Sequence, residues 1–188
     1  MQKTEVIYDA LASISRNDLA HGSDILNKEY PFKPFETATR NYTIRQKMAQ
    51  FIADGFIDIY SGDRLVNPGA LKVLSAFYPK EFPYQAHWKT TETHIAYWEL
   101  IPTIDHIVPI SLGGVDSKEN WATTSMMHNS IKNNWTLDQL QWKIYPKGDI
   151  QEWDGLTQLF VEVVSHNEYL LKDNYIKDWY RISKDLKI

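Results

Sequence analysis

The amino-acid sequence predicts an α+β fold: one strand–loop–strand–helix unit embedded in N-terminal and C-terminal helices. Apolar residues recur at the three- and four-residue spacing of amphipathic helices near both ends of the chain. Between these ends, two β-like runs, residues 102–110 and 120–127, are separated by a loop that contains Gly113 and Gly114. Because strands and helices are grouped and do not alternate regularly, the pattern favours α+β over a parallel α/β sheet.

The first third of the chain is predicted to form helices. Residues 4–15 and residues 43–55 both carry apolar side chains at helical spacing. The first run contains Val6, Ile7, Leu11 and Ile14, and the second contains Met48, Phe51 and Ile52. Gly55 stands at the end of the second run, where a glycine often terminates a helix.

The middle of the chain before the β-like runs is less regular. Residues 56–67 alternate apolar and polar side chains around Ser61 and Gly62, which predicts a β-hairpin. A short helix is expected to open at Pro68, because proline suits the first position of a helix. The aromatic stretch 80–100 shows no regular period and is expected to wrap the core.

Helices are predicted again after the second β-like run. One begins near His128, and another is capped by Thr136. Residues 152–167 and 173–186 form two closing helices at the C-terminal end.

Composition limits the class of protein. The chain has 188 residues, of which 43% are hydrophobic and 13% aromatic, enough for a sizeable core. It contains no cysteine, which excludes disulfides and Cys-ligated zinc or iron–sulfur sites. No segment has the length and apolar character of a membrane span or a signal peptide. We therefore expect a cytoplasmic protein with no membrane partner.

Residues 103–134 combine the residue types that a metal-dependent phosphodiesterase needs. A hard divalent cation prefers oxygen ligands, which Asp105 on the first strand and Asn129 on the following helix can supply. Hydrolysis also needs a group that removes a proton from water, and His106 is the natural general base. Adjacent strand residues point to opposite faces, so this pairing requires the strand to bend, and Pro109 favours a bend.

Three more polar residues in the same segment are candidates for supporting roles. Lys132 lies three residues after Asn129, on the same face of the helix, where it can hold a phosphate. Asn120 is expected to brace the loop through side chain–backbone hydrogen bonds. His128 is open to three interpretations: a metal ligand, a group that supports the ligands, or a residue that only starts the helix.

The motif "DHIVPISLGG…N…HNSIK" resembles the core of HNH endonucleases, the ββα-metal nuclease superfamily, over residues 100–134. In that family an Asp or His followed by His opens the motif, an Asn lies fourteen residues beyond, and a His or Asn lies nine further on. Asp105-His106, Asn120 and Asn129 keep this spacing. The resemblance implies a ββα-metal core in which Asp105 and Asn129 bind the metal, His106 activates water and Asn120 fixes the loop.

Other features of the motif refine what the resemblance implies. A lysine three residues after the last ligand recurs in the family, and Lys132 matches it. Many relatives carry a Cys-x-x-Cys zinc knuckle, whereas residues 60–63 contain no cysteine, so no structural zinc is expected. The family register assigns the metal to Asn129 and places His128 where those relatives have a knuckle cysteine.

These observations predict a metal-dependent endonuclease that acts on DNA, and the resemblance implies 5′-phosphate and 3′-hydroxyl ends. One divalent ion is expected, with Mg²⁺ favoured and Mn²⁺ or another transition metal as the alternative. Residues 1–55 are expected to form a helical region suited to holding DNA, residues 56–146 the nuclease core, and residues 147–188 a helical region packed on it. Two alternatives stay open: a nuclease for structured RNA, or a catalytically silent ββα domain that binds nucleic acid or protein.

The formal net charge of −4 means that DNA would have to be bound through local basic patches. The stretch 33–47 offers Arg40, Arg45 and Lys47 as nucleic-acid contacts, in addition to Lys132 on the helix. A solvated helix face would carry the same charges, so that interpretation also stays open. The sequence likewise leaves a homodimer open.

Overall fold

The computed structural model describes residues 1–32 and 41–186. Contacts within the chain divide it into two compact units, Met1–Thr37 and Ala38–Ile188. The architecture is mixed α+β, as the sequence predicts: helices precede and follow a two-stranded antiparallel sheet. Within these described residues, no helix is both long enough and apolar enough to cross a lipid bilayer.

The first unit contains a pair of helices, α1 (Lys3–Ser15) and α2 (Leu19–Glu29). The prediction of α1 is confirmed, but of the four apolar residues that indicated it only Val6 is buried. The other three are 43%, 61% and 60% exposed: Ile7, Leu11 and Ile14. In a pair of helices, each helix buries only the side chains that face its partner. That contact strip is narrower than the apolar face that the sequence spacing defines, so part of the face stays exposed.

In the second unit, α3 (Ile44–Ala53) forms where the sequence predicts it. Its first residue follows Thr43, whose side chain caps the helix by accepting a hydrogen bond from a backbone N–H of the first turn. Met48 and Phe51 from the predicted apolar face are fully buried. Gly55 follows the helix in the left-handed conformation, with φ of 65°, which glycine adopts without a steric cost.

The predicted hairpin, residues 56–67, forms only in part, and we call this segment the 56–67 turn. A single antiparallel bridge joins its two arms, at Ile57 and Arg64. The N–H of Ile59, between them, instead donates a hydrogen bond to the carbonyl of Thr123 in the sheet. At Ile59, the backbone N–H of the 56–67 turn therefore bonds to the sheet, whereas in an isolated hairpin it would bond to the opposite arm.

One sheet of two strands lies between the helical parts of this unit. β1 (Pro102–His106) pairs antiparallel with β2 (Trp121–Ser125), so that the first residue of each strand lies opposite the last residue of the other. Both strands fall within the predicted β-like runs but are shorter. β1 ends before Pro109, which has no N–H to donate to a neighbouring strand, and a short 3₁₀ turn follows.

Three short helices flank the sheet in sequence. α4 (Pro68–Phe77) begins at the predicted proline, and α5 (Ala96–Glu99) is a single turn before β1. α6 (Met126–Lys132) follows β2 directly, slightly earlier than predicted. It starts there because the Ser125 side chain caps it, accepting a hydrogen bond from the backbone N–H of His128 at 3.1 Å.

The C-terminal helices form in the predicted regions, but two of them are shorter than predicted. The first closing helix begins at Thr157 and not at residue 152, because Gly155 and Leu156 adopt left-handed conformations. α7 (Leu137–Leu140) is capped by Thr136 as predicted, but it ends after one turn because Gln141 adopts a left-handed conformation with φ of 58°. α8 (Thr157–His166) and α9 (Asn174–Asp185) form the two closing helices.

The largest hydrophobic core of the second unit joins β1 to α3, α8 and α9. Its buried members come mainly from these four elements, from α4 and from the 56–67 turn, and include Met48, Phe51, Phe56, Val73, Ile104, Phe160, Val164 and Trp179. Ile104 anchors β1 in this core. The residues that flank Ile104 on the strand are consequently held beside α3 and α9.

Candidate functional site

Asp105, His106 and Asn129 line one cavity of about 460 Å³. The cavity follows β1, where all five residues, from Pro102 to His106, contribute to its wall. Successive strand residues point to opposite faces, and a cavity along the edge of a strand is accessible from both. Lys47 of α3 lines the same cavity. The structure thus brings together the residues predicted to bind metal and to activate water.

The two carboxylate oxygens of Asp105 differ in their surroundings. Oδ2 accepts a hydrogen bond from the Tyr60 hydroxyl at 2.7 Å and pairs with the Lys132 ammonium at 2.8 Å. Burial, and then the charge of Asp105, raises the pKa of Tyr60, so its hydroxyl remains a donor at neutral pH. Oδ1 has no hydrogen-bond partner among the described residues and retains contact with solvent. One oxygen of Asp105 is therefore fixed, and the other is available.

Lys132 is not placed to hold a phosphate, which corrects the expectation drawn from its position on the helix. Its side chain is fully buried, and its ammonium also donates to the carbonyl oxygen of His106 at 2.6 Å. A buried ammonium needs partners of this kind, and Asp105 supplies the compensating charge. Lys132 therefore ties α6 to β1 and orients Asp105.

Asn129 joins α6 to β1 through its side-chain amide. Nδ2 donates to the Thr103 hydroxyl at 2.5 Å and approaches the carbonyl of Ile104 at 3.5 Å. Because these neighbours accept hydrogen bonds, the atom facing them is assigned as the NH₂ nitrogen and the other atom as Oδ1. In the described part of the chain nothing donates a hydrogen bond to Oδ1. Asp105 and Asn129 thus each keep one unengaged oxygen, and both residues line the same cavity.

The imidazole of His106 is held through one of its two nitrogens. Nε2 lies 2.9 Å from Oδ1 of Asp116 and 3.2 Å from the hydroxyl of Tyr42. The residue is only 4% exposed, yet its ring lines the cavity. Nδ1 has no hydrogen-bond partner among residues 1–32 and 41–186, and it keeps contact with solvent.

Asp116 is a residue of the site that the sequence did not single out, as are Tyr42 and Tyr60. It follows the Gly-Gly pair in the loop between the strands, and its Oδ1 also accepts hydrogen bonds from Tyr42 and Trp121 at 2.7 Å each. The hydrogen bond from Tyr42, more than those from His106 and Trp121, lowers the pKa of Asp116 to about 2. The sequence does show an aspartate just after the Gly-Gly pair. Because aspartates are common in loops, its position alone did not indicate a role in the site.

His128 points away from the cavity, so the structure does not support it as a metal ligand. Its Nδ1 lies 2.7 Å from Oδ2 of Asp58 in the 56–67 turn and 3.1 Å from the Ser125 hydroxyl. Asp58 is 1% exposed and also accepts hydrogen bonds from the backbone N–H groups of Tyr60 and Ser125. No regular spacing links positions 58 and 128, so the sequence offered no sign of this contact.

Asn120 braces the loop as expected. Its Oδ1 accepts from the N–H of Val108 at 2.8 Å, and its Nδ2 donates to the carbonyls of Val108 and Val115 at 2.9 Å each. The side chain closes the loop without reaching the cavity wall. Gly114 fits beside this brace, since a Cβ there would collide with the carbonyl oxygen of Val108.

The residues predicted to contact nucleic acid occupy different places. Lys47 lines the cavity, whereas Arg45 pairs with Asp185 at 3.2 Å and borders a second groove of about 260 Å³ with Lys118 and Trp121. The ion pair of Arg45 is well exposed, so it costs little to exchange for a phosphate. Arg40, the remaining candidate, lies outside the described residues.

The available atoms fit an open site for a hard cation. No cluster of three or more His, Cys, Asp or Glu residues with metal-binding geometry occurs in residues 1–32 and 41–186. Mg²⁺ does not need one, because it keeps several waters and takes one or two carboxylates together with substrate phosphates. Oδ1 of Asp105 and Oδ1 of Asn129 are oxygen atoms of the kind that coordinate Mg²⁺. The charge of Asp105 is partly compensated by Lys132, which weakens the attraction of this carboxylate for a cation.

Comparisons with known proteins add no assignment to this geometry. A scan against protein-family models, a search of curated proteins and a search of solved structures each found no match.

Proposed function

We propose that the chain is a metal-dependent endonuclease that hydrolyses phosphodiester bonds in DNA, with an HNH-type ββα-metal core formed by β1, β2 and α6. One observation carries the proposal. Asp105, His106 and Asn129 line one cavity, and each keeps a polar atom that no described residue engages. Two of these atoms are oxygens suited to a hard cation, and the third is an imidazole nitrogen suited to accept a proton.

Each side chain has a distinct task in this reaction. Asp105 and Asn129 hold the cation, which when bound stabilises the charge that develops on the phosphate under attack. His106 accepts a proton from the attacking water through its unengaged nitrogen. Tyr60 donates a hydrogen bond to Oδ2 of Asp105 and Lys132 forms an ion pair with it, so that Oδ1 keeps one orientation.

The size and lining of the cavity suit a nucleotide unit better than a cation alone. Six waters around an ion occupy roughly 180 Å³ at about 30 Å³ each, well below the volume of about 460 Å³. The remaining wall includes the aromatic rings of Tyr42, Trp88 and Tyr175. Aromatic rings of this kind offer surfaces on which a sugar or base can pack.

Local cations offset the negative net charge near the cavity. Lys47 lies at the cavity, and Arg45 and Lys118 border the neighbouring groove. Arg45 and Lys47 are two positions apart on α3, so their side chains leave the helix in different directions. A DNA backbone that runs along α3 would meet both, which fits a substrate whose affinity depends on phosphate contacts.

The first test measures cleavage of plasmid DNA, single-stranded DNA and RNA, with Mg²⁺, with Mn²⁺ and with EDTA. We expect cutting of DNA that requires the metal.

Asn129→Ala removes a proposed ligand without unpairing a buried charge, and we expect cleavage at limiting Mg²⁺ to fall at least about tenfold. Asn134→Ala, an exposed neighbour beyond the end of α6, is the matched control. If the Asn129→Ala variant cleaved DNA at the wild-type rate at every Mg²⁺ concentration, Asn129 would not be a metal ligand.

Asp105 needs a compensated variant. Asp105→Ala alone is expected to abolish cutting. It also leaves the buried ammonium of Lys132 without its counter-charge, so it can unfold the protein. Combining Asp105→Asn with Lys132→Met removes both charges together. We expect this double variant to fold, as judged by circular dichroism, and to lack metal-dependent cleavage. A folded double variant that cuts DNA at the wild-type rate in Mg²⁺ contradicts the site assignment.

One observation favours the alternative of a silent binding module. The ammonium of Lys132 already balances the charge of Asp105 at 2.8 Å, which weakens the attraction of the site for a cation. Such a module binds DNA or RNA equally well in Mg²⁺ and in EDTA and cuts neither. Cleavage of structured RNA but not of DNA would instead support the nuclease with the other substrate.

A further inference from the structure

We propose that Asp116 is a positioning residue for His106: its carboxylate holds the imidazole in the tautomer that carries the hydrogen on Nε2, and Nδ1 is therefore the atom that removes the proton from water. The catalytic consequence rests on the proposed nuclease function. The hydrogen-bond arrangement does not, so it can be tested separately.

The directions of the hydrogen bonds decide which nitrogen carries the hydrogen. Nε2 of His106 lies 2.9 Å from Oδ1 of Asp116 and 3.2 Å from the Tyr42 hydroxyl. The hydroxyl donates its single hydrogen to Asp116 at 2.7 Å, so it has only lone pairs to offer Nε2. An ionised carboxylate cannot donate either. Both neighbours of Nε2 are acceptors, and Nε2 must be the donor.

Asp116 is itself held in a charged and fixed state. Its Oδ1 receives hydrogen bonds from the Tyr42 hydroxyl, the Trp121 indole and His106. These donors favour the ionised carboxyl, whose pKa is about 2, even though the side chain is 45% exposed. The rings of Tyr42 and Trp121 meet edge to face with centroids 4.9 Å apart, which restrains both donors. Three hydrogen-bond partners therefore hold the carboxylate of Asp116 beside His106.

The nitrogen that is left with the lone pair belongs to a residue of the cavity wall. A neutral imidazole with its hydrogen on Nε2 has its lone pair on Nδ1. Nδ1 has no partner in the described part of the chain, and the ring lines the cavity shared with Asp105 and Asn129. Asp116 does not belong to the wall of that cavity. It acts on the proposed general base through His106, as the aspartate of a hydrolase triad acts through its histidine, and it also holds the hydroxyl of Tyr42 in the cavity wall.

The first experiment observes the tautomer directly in the metal-free protein. The imidazole nitrogens are followed by ¹⁵N NMR at a pH where the ring is neutral, and His106→Gln identifies the signals among the six histidines. We expect Nε2 to appear as the N–H nitrogen, Nδ1 as the nitrogen with the lone pair, and the Nε2 hydrogen to exchange slowly with water. Asp116→Ala should make that hydrogen exchange too fast to observe. Asp116→Asn, which keeps the shape of the side chain, should have an intermediate effect.

The second experiment separates positioning from structure. An orienting partner of this kind contributes about 10- to 100-fold, so Asp116→Ala should lower kcat by that factor. KM for DNA and the affinity for Mg²⁺ should stay within about twofold, because Asp116 bonds to neither proposed metal ligand and the ring of Tyr42 keeps its packing against Trp121. Asp178→Ala, an exposed aspartate on α9, is the matched control and should leave all three quantities unchanged. A merely structural role would change KM, metal affinity and thermal stability together with kcat.

The outcomes distinguish this inference from the proposed function. Wild-type protein with its hydrogen on Nδ1, or an Asp116→Ala variant with unchanged hydrogen exchange and unchanged kcat, overturns the inference and leaves the nuclease intact. A protected Nε2 hydrogen that Asp116→Ala abolishes, in a protein that cuts no nucleic acid, supports the hydrogen-bond arrangement and overturns the nuclease.

Discussion

Asp105 and His106 are adjacent in the chain, yet each is held by a separate set of partners. Tyr60 and Lys132 bind the carboxylate of Asp105, whereas Asp116 binds the ring of His106. The two sets share one link, the hydrogen bond from Lys132 to the backbone carbonyl of His106, which any side chain at position 106 would keep. Substitutions can therefore alter the proposed metal binding and the proposed proton transfer one at a time.

His106→Ala should slow the reaction without preventing binding. The variant loses the proton acceptor but neither proposed metal ligand, and general-base catalysis is worth roughly 10²- to 10⁴-fold. We expect turnover on plasmid DNA to fall by that amount while Mg²⁺ and DNA still bind. His128→Ala is the matched comparison, because His128 bonds to Asp58 away from the cavity. If His128→Ala were the more damaging change for turnover, water activation would belong to His128.

Lys132→Ala should destabilise the protein strongly. The substitution leaves the buried carboxylate of Asp105 without its counter-charge, a loss typically worth about 3–5 kcal/mol in the free energy of unfolding. Urea unfolding measures it, with exposed Lys80→Ala as a control that we expect to change stability by less than about 0.5 kcal/mol. A stable Lys132→Ala variant with a reduced salt dependence of DNA binding would restore the phosphate contact inferred from the sequence.

At the scale of elements, two polar clamps set the geometry of the strand–loop–strand–helix unit. Asn120 closes the loop between β1 and β2, and Asp58 joins the 56–67 turn to the start of α6. Asp58 bonds to the backbone N–H of Ser125, at the residue where β2 gives way to the helix. A buried carboxylate with several donors can hold such a junction firmly, because leaving any of these donors unpaired costs free energy.

The clamp made by Asp58 should contribute stability that depends on pH. Burial is the largest influence and raises the pKa of Asp58, but the hydrogen bonds from His128, Ser125 and Tyr60 together lower it below 3.8. A carboxyl whose pKa is lowered by folding adds stability above its ordinary pKa, and that stability disappears as the pH falls through the lowered value. We expect the difference in unfolding free energy between wild type and Asp58→Asn to be full at neutral pH and to shrink below about pH 4.

Urea unfolding over a series of pH values measures this difference, with exposed Asp178→Asn as the control. Subtracting the variant from the wild type removes the titration of other carboxyl groups. A difference that stays constant from neutral pH to pH 3 contradicts the role given to Asp58.

The helix α3 should carry phosphate contacts on two sides. Lys47 lines the cavity and Arg45 borders the second groove, so we expect Lys47→Ala and Arg45→Ala each to reduce the salt slope of DNA binding by about one. The loss should be similar for all sequences, because phosphates carry no sequence information. Binding isotherms at several salt concentrations, with Lys80→Ala as the control, measure it. Unchanged slopes would make this part of α3 an ordinary solvated face.

At the scale of the whole second unit, the site depends on segments far apart in sequence that meet through buried polar contacts as well as through the hydrophobic core. Asn67 is fully buried, and its Oδ1 caps α4 by accepting from the N–H of Gly69. Its Nδ2 donates to the hydroxyl of Thr157 at 3.2 Å and to that of Ser183 at 3.1 Å. A single side chain thus joins the starts of α4 and α8 to the far end of α9.

Asn67→Ala should cost more stability than the loss of a helix cap alone. A cap is worth about 1 kcal/mol, and the two further hydrogen bonds, whose partners stay buried, bring the expected loss to about 3 kcal/mol. Thr136→Ala, which removes only the cap of α7, is the matched control with an expected loss of about 1 kcal/mol. Equal losses in urea unfolding would show that Asn67 acts as a cap and nothing more.

Local spacing predicts much of the fold because helices and strands repeat over a few residues. The positions of α3, α8 and α9 follow from apolar periodicity, and β1 and β2 lie within the runs that the sequence indicates. The same rule fails where tertiary contacts compete with local pairing. Ile59 bonds to the sheet and not across its own hairpin, and α7 stops after one turn at Gln141.

By itself, the sequence determined the α+β class and the spacing that brings Asp105, His106 and Asn129 to one cavity, because these residues lie on neighbouring elements with short connections. Only the tertiary structure decided what holds them. Lys132 proved to be buried against Asp105, His128 to be bound to Asp58, and Asp116 to hold His106. Such pairings depend on which charged groups the packing shields from water, and no local repeat of the sequence encodes that.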